Sequence, residues 1–252
     1  MDGMSSIPGL TPRSDWALFL DVDGTLLDLA ATPDAVVVPD GLLTALVRAA
    51  KALNGALALV SGRAVADIDA LFHPMQFPAA GIHGFELRPR SGAPRRIAPL
   101  MTVVQRVKLT AVAAGLDGVL AEDKAGAVAL HYRLAPDVQE ILARRIEAVL
   151  ADDDLKDFDM RPGKMLWEVR RNGIDKGKAV EALMAEPPFR GRVPVFVGDD
   201  ETDLDGFAGA RRGGGIALPV RDVSPGPGFG GPAGVRTWLA ALPSRIERRI
   251  MA

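Results

Sequence analysis

The chain of 252 residues contains no cysteine. Disulfides, thiolate nucleophiles and cysteine-ligated zinc are therefore excluded, and the composition is compatible with a cytoplasmic home. No apolar run approaches the ~20 residues needed to cross a bilayer. Residues Met1 to Ser14 lack the basic-then-apolar pattern of an export signal. Neither sign of charge dominates, with 30 Lys and Arg against 32 Asp and Glu and a net charge of −2. That leaves no basic footprint for nucleic acid. No internal repeat is visible. What remains is a soluble intracellular protein without nucleic-acid or membrane partners, and its 48% hydrophobic and 25% charged content is ordinary for a globular enzyme. The length exceeds one average domain but falls short of two large ones.

Short apolar runs alternate with helical patterns, which predicts an α/β fold with a parallel sheet and crossover helices. The runs are 16–20, 56–60, 79–82, 193–197 and 215–218. Between the first two, Leu42, Leu43, Leu46, Val47 and Ala50 recur at helical spacing. The strand at 16–20 leads into Asp21-Val22-Asp23-Gly24-Thr25, that at 56–60 into Ser61-Gly62-Arg63, and that at 79–82 into His83-Gly84. The strand at 193–197 leads into Gly198-Asp199-Asp200. Polar chemistry thus gathers at one sheet edge, where ligands bind in open α/β sheets.

The middle of the chain breaks this rhythm. Residues 102–115 and 136–151 read as helices, the second with Val138, Ile141, Leu142, Ile146 and Val149 on one stripe. The segments 126–133 and 163–170 alternate as strands of an antiparallel sheet with one wet face do. An inserted αββαββ unit over 102–172 is expected, tethered at both ends and able to act as a lid. It would divide a core domain made of residues 1–101 and 173–252. In 164–170, alternation puts Met165, Trp167 and Val169 on one face and Lys164, Glu168 and Arg170 on the other, with Leu166. The Gly- and Pro-rich stretch 222–234 reads as an irregular loop and 235–242 as a last helix.

Asp21 and Asp23 stand two apart at a strand end, so one is free to act as nucleophile and the other as proton donor. That division suits phosphoryl transfer through an aspartyl-phosphate; an ordinary Asp-Gly turn is the plainer alternative. Four acids within Asp199 to Asp203 repel one another unless a cation compensates. Hard oxygen donors of this kind suit Mg²⁺, although acids at a helix start also answer the helix dipole. Asp199, nearest the strand, is the candidate ligand. Ser61, Gly62 and Arg63 offer a hydroxyl and free N–H groups at a helix start, an anion site. Lys176 opens a helix against the dipole, which a phosphate or a carboxylate cluster would explain. Thr25, Ser61 and Lys176 are then placed around the phosphoryl oxygens. His73 and His131 read as structural, and His83 stands near the cleft.

These four motifs, in this order, resemble the haloacid dehalogenase superfamily, and the second acid of the first motif resembles its phosphatases and phosphomutases. The resemblance implies a Rossmann-like parallel-sheet core, Mg²⁺ as cofactor and a cap inserted where the αββαββ unit falls. Three further segments resemble the trehalose-6-phosphate phosphatase family: Gly81-Ile82-His83-Gly84-Phe85-Glu86; Glu122-Asp123-Lys124 running into Ala129–Arg133; and Arg161–Arg170 continuing to Gly177. This resemblance assigns sugar recognition to Glu122, Lys124 and Glu168, with Lys164 and His83 beside them. It implies hydrolysis of trehalose 6-phosphate and a functional link to a trehalose-phosphate synthase. The rivals are a phosphatase for sucrose phosphate or mannosyl-phosphoglycerate, a phosphomutase, and a non-catalytic partner of that synthase.

Overall fold

The structure, a computed structural model, describes residues 10–30, 35–163, 165–220 and 229–250. Lys164 and most of the Gly/Pro-rich stretch lie outside them. Among the described residues no helix is long and apolar enough to cross a membrane.

Strand β1 (Trp16–Leu20) is buried along its whole length. Its alternation divides it between two cores, Trp16, Leu18 and Leu20 facing one and Ala17 and Phe19 the other. A strand covered on both faces needs parallel neighbours and crossover helices. It has both. β1 pairs in parallel with β2 (Leu57–Val60) and β10 (Val193–Gly198). Beyond them lie β3 (Ala79–Gly81), parallel to β2, and β11 (Ile216–Pro219), parallel to β10. Two short antiparallel strands, β4 (Glu86–Arg88) and β5 (Arg95–Arg96), complete a seven-stranded sheet in the order β11-β10-β1-β2-β3-β4-β5. These antiparallel strands were not legible in the apolar pattern, because β5 is two exposed arginines.

Helices α1 (Leu42–Ala52) and α7 (Pro232–Ile250) cover the first face, and α2 (Val65–Leu71) adds Val65 and Ile68 to the same core. Helices α5 (Lys176–Met184) and α6 (Asp203–Arg212) cover the other with Val180, Leu183 and Phe207. The last helix extends well beyond the expected 235–242 and runs through Pro243.

The central segment builds a second sheet with a core of its own. Its elements are α3 (Val103–Ala111), β6 (Leu120–Asp123), β7 (Ala127–His131), α4 (Gln139–Leu150), β8 (Phe158–Gly163) and β9 (Leu166–Arg171), the expected αββαββ sequence. The strands pair antiparallel in the order β6-β7-β9-β8. Leu109, Leu130, Leu142, Ile146 and Val169 are buried between this sheet and its helices. A capping box at Thr102 and Gln105 starts α3, satisfying two N-terminal N–H groups. A small cluster of Ile82, Phe85, Ala127 and Ile174 joins the two sheets.

Met165 has φ +62 and sits in the β8–β9 turn, yet it packs against the same core as Trp167 and Val169, the face the alternation predicts.

Candidate active site

The site lies beyond the carboxyl ends of β1, β2, β3 and β10, where strand order reverses about β1. The Asp21 N–H donates to Val197 O at 3.0 Å, tying the end of β1 to β10. The chain then turns back on itself, with the N–H groups of Leu26 and Leu27 both donating to Val22 O at 2.9 Å. Gly24 adopts φ +85 inside this turn, and a Cβ there would lie 2.2 Å from Asp199 Oδ2. Glycine is required twice over, for the left-handed backbone and for the approach of a carboxylate.

Lys176 is the hub. Its ammonium donates to Asp21 Oδ1 at 2.7 Å and to Asp203 Oδ1 at 2.6 Å, with all three side chains buried. The second Asp203 oxygen accepts the N–H groups of Asp199 and Asp200, each at 2.9 Å. Asp203 therefore folds the acidic loop as well as pairing the lysine. Ligand oxygens of Asp21, Asp199 and Asp203 lie within 4.8 Å of one another. Burial and the neighbouring Asp203 and Asp199 push the Asp21 carboxyl well above its usual range, against the pull of Lys176. Burial opposes the charge on Lys176, but Asp203 and Asp21 outweigh it and hold the ammonium raised. More carboxylates than cations share this space, and a hard divalent cation is the group that would complete it. Asp203 is tied through both oxygens to Lys176 and the loop N–H groups, which makes Asp21 and Asp199 the candidate side chains to hold it.

The lysine that looked electrostatically misplaced is thus explained by a carboxylate cluster. Asp203 joins the site although the sequence reading did not set it apart from its neighbouring acids. The signal was its four-residue spacing from Asp199, which lets a first-turn carboxylate reach back to the N–H groups of the loop.

Asp23 points to the opposite wall of the cleft. Arg63 grips it in a fork, Nε to Oδ2 and Nη2 to Oδ1 at 2.7 Å each. Ser61 Oγ accepts the Arg63 N–H at 3.1 Å, shaping the turn after β2. Thr25, expected beside the phosphoryl oxygens, donates its hydroxyl to Asp199 Oδ1 at 2.9 Å and so supports the candidate cation ligand.

The second sheet forms the far wall. Register places Glu122 on β6 opposite Ala129 on β7, and Ala129 opposite Glu168 on β9. The two glutamates therefore share a face across a small residue. Lys124, just past β6, stands 3.1 Å from Glu168 Oε1 and 3.8 Å from Glu122 Oε2. His131, expected to be structural, also lines the cleft, with Nε2 at 2.9 Å from Glu122 Oε2. Burial would raise Glu168, but His83, Lys124 and Arg170 hold it well below the carboxylate range. Burial is outweighed likewise at Glu122, which His131 and Lys124 lower.

One cleft unites Asp21, Asp23, Ser61, Gly62, Arg63, His83, Lys176 and Asp199 with Glu122, Lys124 and Glu168. Leu29, Leu120 and Leu134 add an apolar rim that the polar motifs did not reveal. The wall facing Asp21 thus carries both hydrogen-bond donors and acceptors.

A family model described as trehalose-phosphatase matches residues 19–226. The chain belongs to the trehalose-phosphatase family. A probable trehalose-phosphate phosphatase of Sinorhizobium fredii is 46% identical over 211 residues, 83% of this chain and 79% of the relative. The trehalose-6-phosphate phosphatase of Escherichia coli is 38% identical over 254 residues, 98% of this chain and 92% of the relative. Among solved structures, the C-terminal domain of the Candida albicans trehalose-6-phosphate phosphatase superposes with a TM-score of 0.75 at 21% identity, covering 93% of each chain. This likeness shows the shared fold. The same fold carries the C-terminal domain of a Candida albicans trehalose synthase regulatory protein, at a TM-score of 0.67 and 13% identity. Fold alone therefore does not decide between catalysis and regulation, and the site residues must.

Proposed function

We propose that this member of the trehalose-phosphatase family hydrolyses trehalose 6-phosphate to trehalose and phosphate through an aspartyl-phosphate on Asp21. The observation that carries the reading is the single cleft in which the Asp21–Lys176–Asp199 cluster faces the Glu122–Lys124–Glu168 row. The first suits a phosphoryl group and the second a polyhydroxylated sugar. A purely regulatory domain needs no buried nucleophile beside a lysine.

In the first half-reaction an Asp21 oxygen attacks phosphorus and the bond from phosphorus to the sugar oxygen breaks. Asp23 donates the proton that the leaving sugar oxygen takes up. In the second, water attacks the same phosphorus, Asp23 accepts its proton, and the bond to Asp21 breaks to release phosphate. Lys176 stays cationic throughout and stabilises charge on Asp21 and the transferring group, the main contribution expected in phosphoryl transfer. The Ser61 N–H donates to Ala80 O and the Arg63 N–H to Ser61 Oγ, so the Gly62 N–H and the Ser61 hydroxyl are the donors this turn offers the phosphoryl oxygens, while Arg63 fixes the orientation of Asp23. Mg²⁺, held by Asp21, Asp199 and the Asp23 carbonyl, would supply the positive charge that offsets the clustered carboxylates.

Residues 102–172 act as a cap on a core of 1–101 and 173–252, excluding bulk water and reading the sugar through Glu122, Lys124 and Glu168. The enzyme works in the cytoplasm, and its substrate is supplied by a trehalose-phosphate synthase, a functional link that requires no contact. Phosphate release across a panel of sugar phosphates, with and without Mg²⁺, tests the reading. Mg²⁺-dependent release greatest for trehalose 6-phosphate is expected; preference for another sugar phosphate would reassign the substrate, and no release at all would reject catalysis.

A further inference from the structure

His83 lies at the meeting point of three parts of the molecule. It belongs to a turn in which Ile82, His83 and Gly84 all have positive φ, at +48, +53 and +107. Left-handed backbone is disfavoured for a histidine and more so for a β-branched isoleucine. Such a conformation persists where its surroundings over-determine it, and it concentrates at functional sites.

The surroundings here are specific. The N–H of Ile82 donates to Arg63 O and that of His83 to Ser61 O, both at 2.9 Å. The turn is thereby stitched to the 61–63 loop. On another side Gly84 abuts the start of α5, where an added Cβ would lie 2.9 Å from Asp175 O, next to Lys176. The imidazole packs over Gly62, whose own Cβ would approach Nε2 to 2.6 Å. The same Nε2 stands 2.7 Å from Glu168 Oε2 on the second sheet, a close polar contact rather than an aligned hydrogen bond. Glu168 is buried and its other oxygen accepts Lys124 Nζ at 3.1 Å.

We propose that His83 is a positioning residue that fixes Glu168 against the Ser61–Gly62–Arg63 loop and so couples sugar recognition to phosphate placement. The inference rests on the sugar-phosphate reading above and deepens it. With His83 in place, a sugar that engages Glu168 draws the cap wall and the phosphate loop into register. A phosphate ester lacking hydroxyls cannot reach Glu168 and gains nothing from the coupling. His83 thereby sets specificity without touching the reacting atoms.

The test compares His83→Ala, His83→Gln and Glu168→Gln on two substrates, trehalose 6-phosphate and p-nitrophenyl phosphate, after melting curves establish folding. His83→Ala is expected to lower kcat/KM for trehalose 6-phosphate at least tenfold, mainly through kcat, and for p-nitrophenyl phosphate no more than threefold. His83→Gln, whose amide nitrogen can approach Glu168, should recover part of the loss. Adding His83→Ala to Glu168→Gln should cost little more than either alone. Equal losses on both substrates would mark His83 as merely structural and overturn the proposal. Additive losses with Glu168→Gln would overturn it too. A wild-type enzyme inactive on trehalose 6-phosphate but active on another sugar phosphate would count against the substrate reading alone, and the His83 comparison on that sugar then decides. Should His83→Ala fail to fold, the substrate selectivity of Glu168→Gln and of His83→Gln decides in its place.

Discussion

Lys176 Nζ and Asp21 Oδ1 meet at 2.7 Å across 155 residues of sequence, and both side chains are buried. The contact joins the end of the central strand to the start of a helix on the far side of the inserted unit. It closes the core around the cleft and fixes the charge beside the proposed nucleophile.

Replacing Lys176 by Met leaves Asp21 and Asp203 buried without their shared cation. Breaking a buried pair by removing one partner costs about 3–5 kcal/mol, so a large fall in the denaturation midpoint is expected. Phosphate release should fall at least a thousandfold. Denaturant titration and a phosphate assay read the two effects. A variant as stable as wild type would show that the cluster is not held by this lysine.

Gly24→Ala acts on the cation site from the backbone side. Its Cβ would meet the Asp199 carboxylate at 2.2 Å in a left-handed turn. Asp199 must move, losing the Thr25 hydroxyl as it does. The Mg²⁺ concentration for half-maximal activity should rise by about tenfold or more, given typical effects of disturbing ligand support. An unchanged Mg²⁺ requirement would remove Asp199 from the ligand set.

His83 offers a titration with a definite sign. Burial lowers its pKa below the usual 6.5, against the opposing influence of Glu168, with Arg170 and Lys176 also disfavouring charge. A neutral ring beside an ionised Glu168 carries its proton on Nε2. Because the folded value is depressed, the associated stability is present above pH 6.5, declines as pH falls below it, and is gone once pH passes the folded value. Ring NMR of the uncomplexed protein should show the neutral Nε2–H form at pH 7 and a midpoint below 6.5. A midpoint above 6.5 would contradict the buried neutral assignment.

Much of this site was legible because strand ends are readable. Trp16–Leu20 was bounded by Asp21 in sequence as in space, since a strand buried on both faces must be uniformly apolar. The αββαββ order followed from the switch to alternation in 126–133 and the apolar stripe of 136–151. What was not legible depends on long-range geometry. Thr25 donates to Asp199 at a separation of 174 residues, and nothing local distinguishes that from a hydroxyl facing phosphate. Asp203 answers to the helix dipole and to Lys176 together, and sequence shows only the first. The left-handed turn at His83 sits where an apolar run simply appeared to end, and its reason is the 61–63 loop beside it.

The central claim is that Asp21 is the nucleophile of a Mg²⁺-dependent phosphatase. It is tested most directly by phosphate release from trehalose 6-phosphate by wild type and Asp21→Asn, each with Mg²⁺ and with a chelator. The account predicts turnover by wild type only with Mg²⁺, and none by a folded Asp21→Asn variant in either condition. Turnover by Asp21→Asn near the wild-type rate would contradict it.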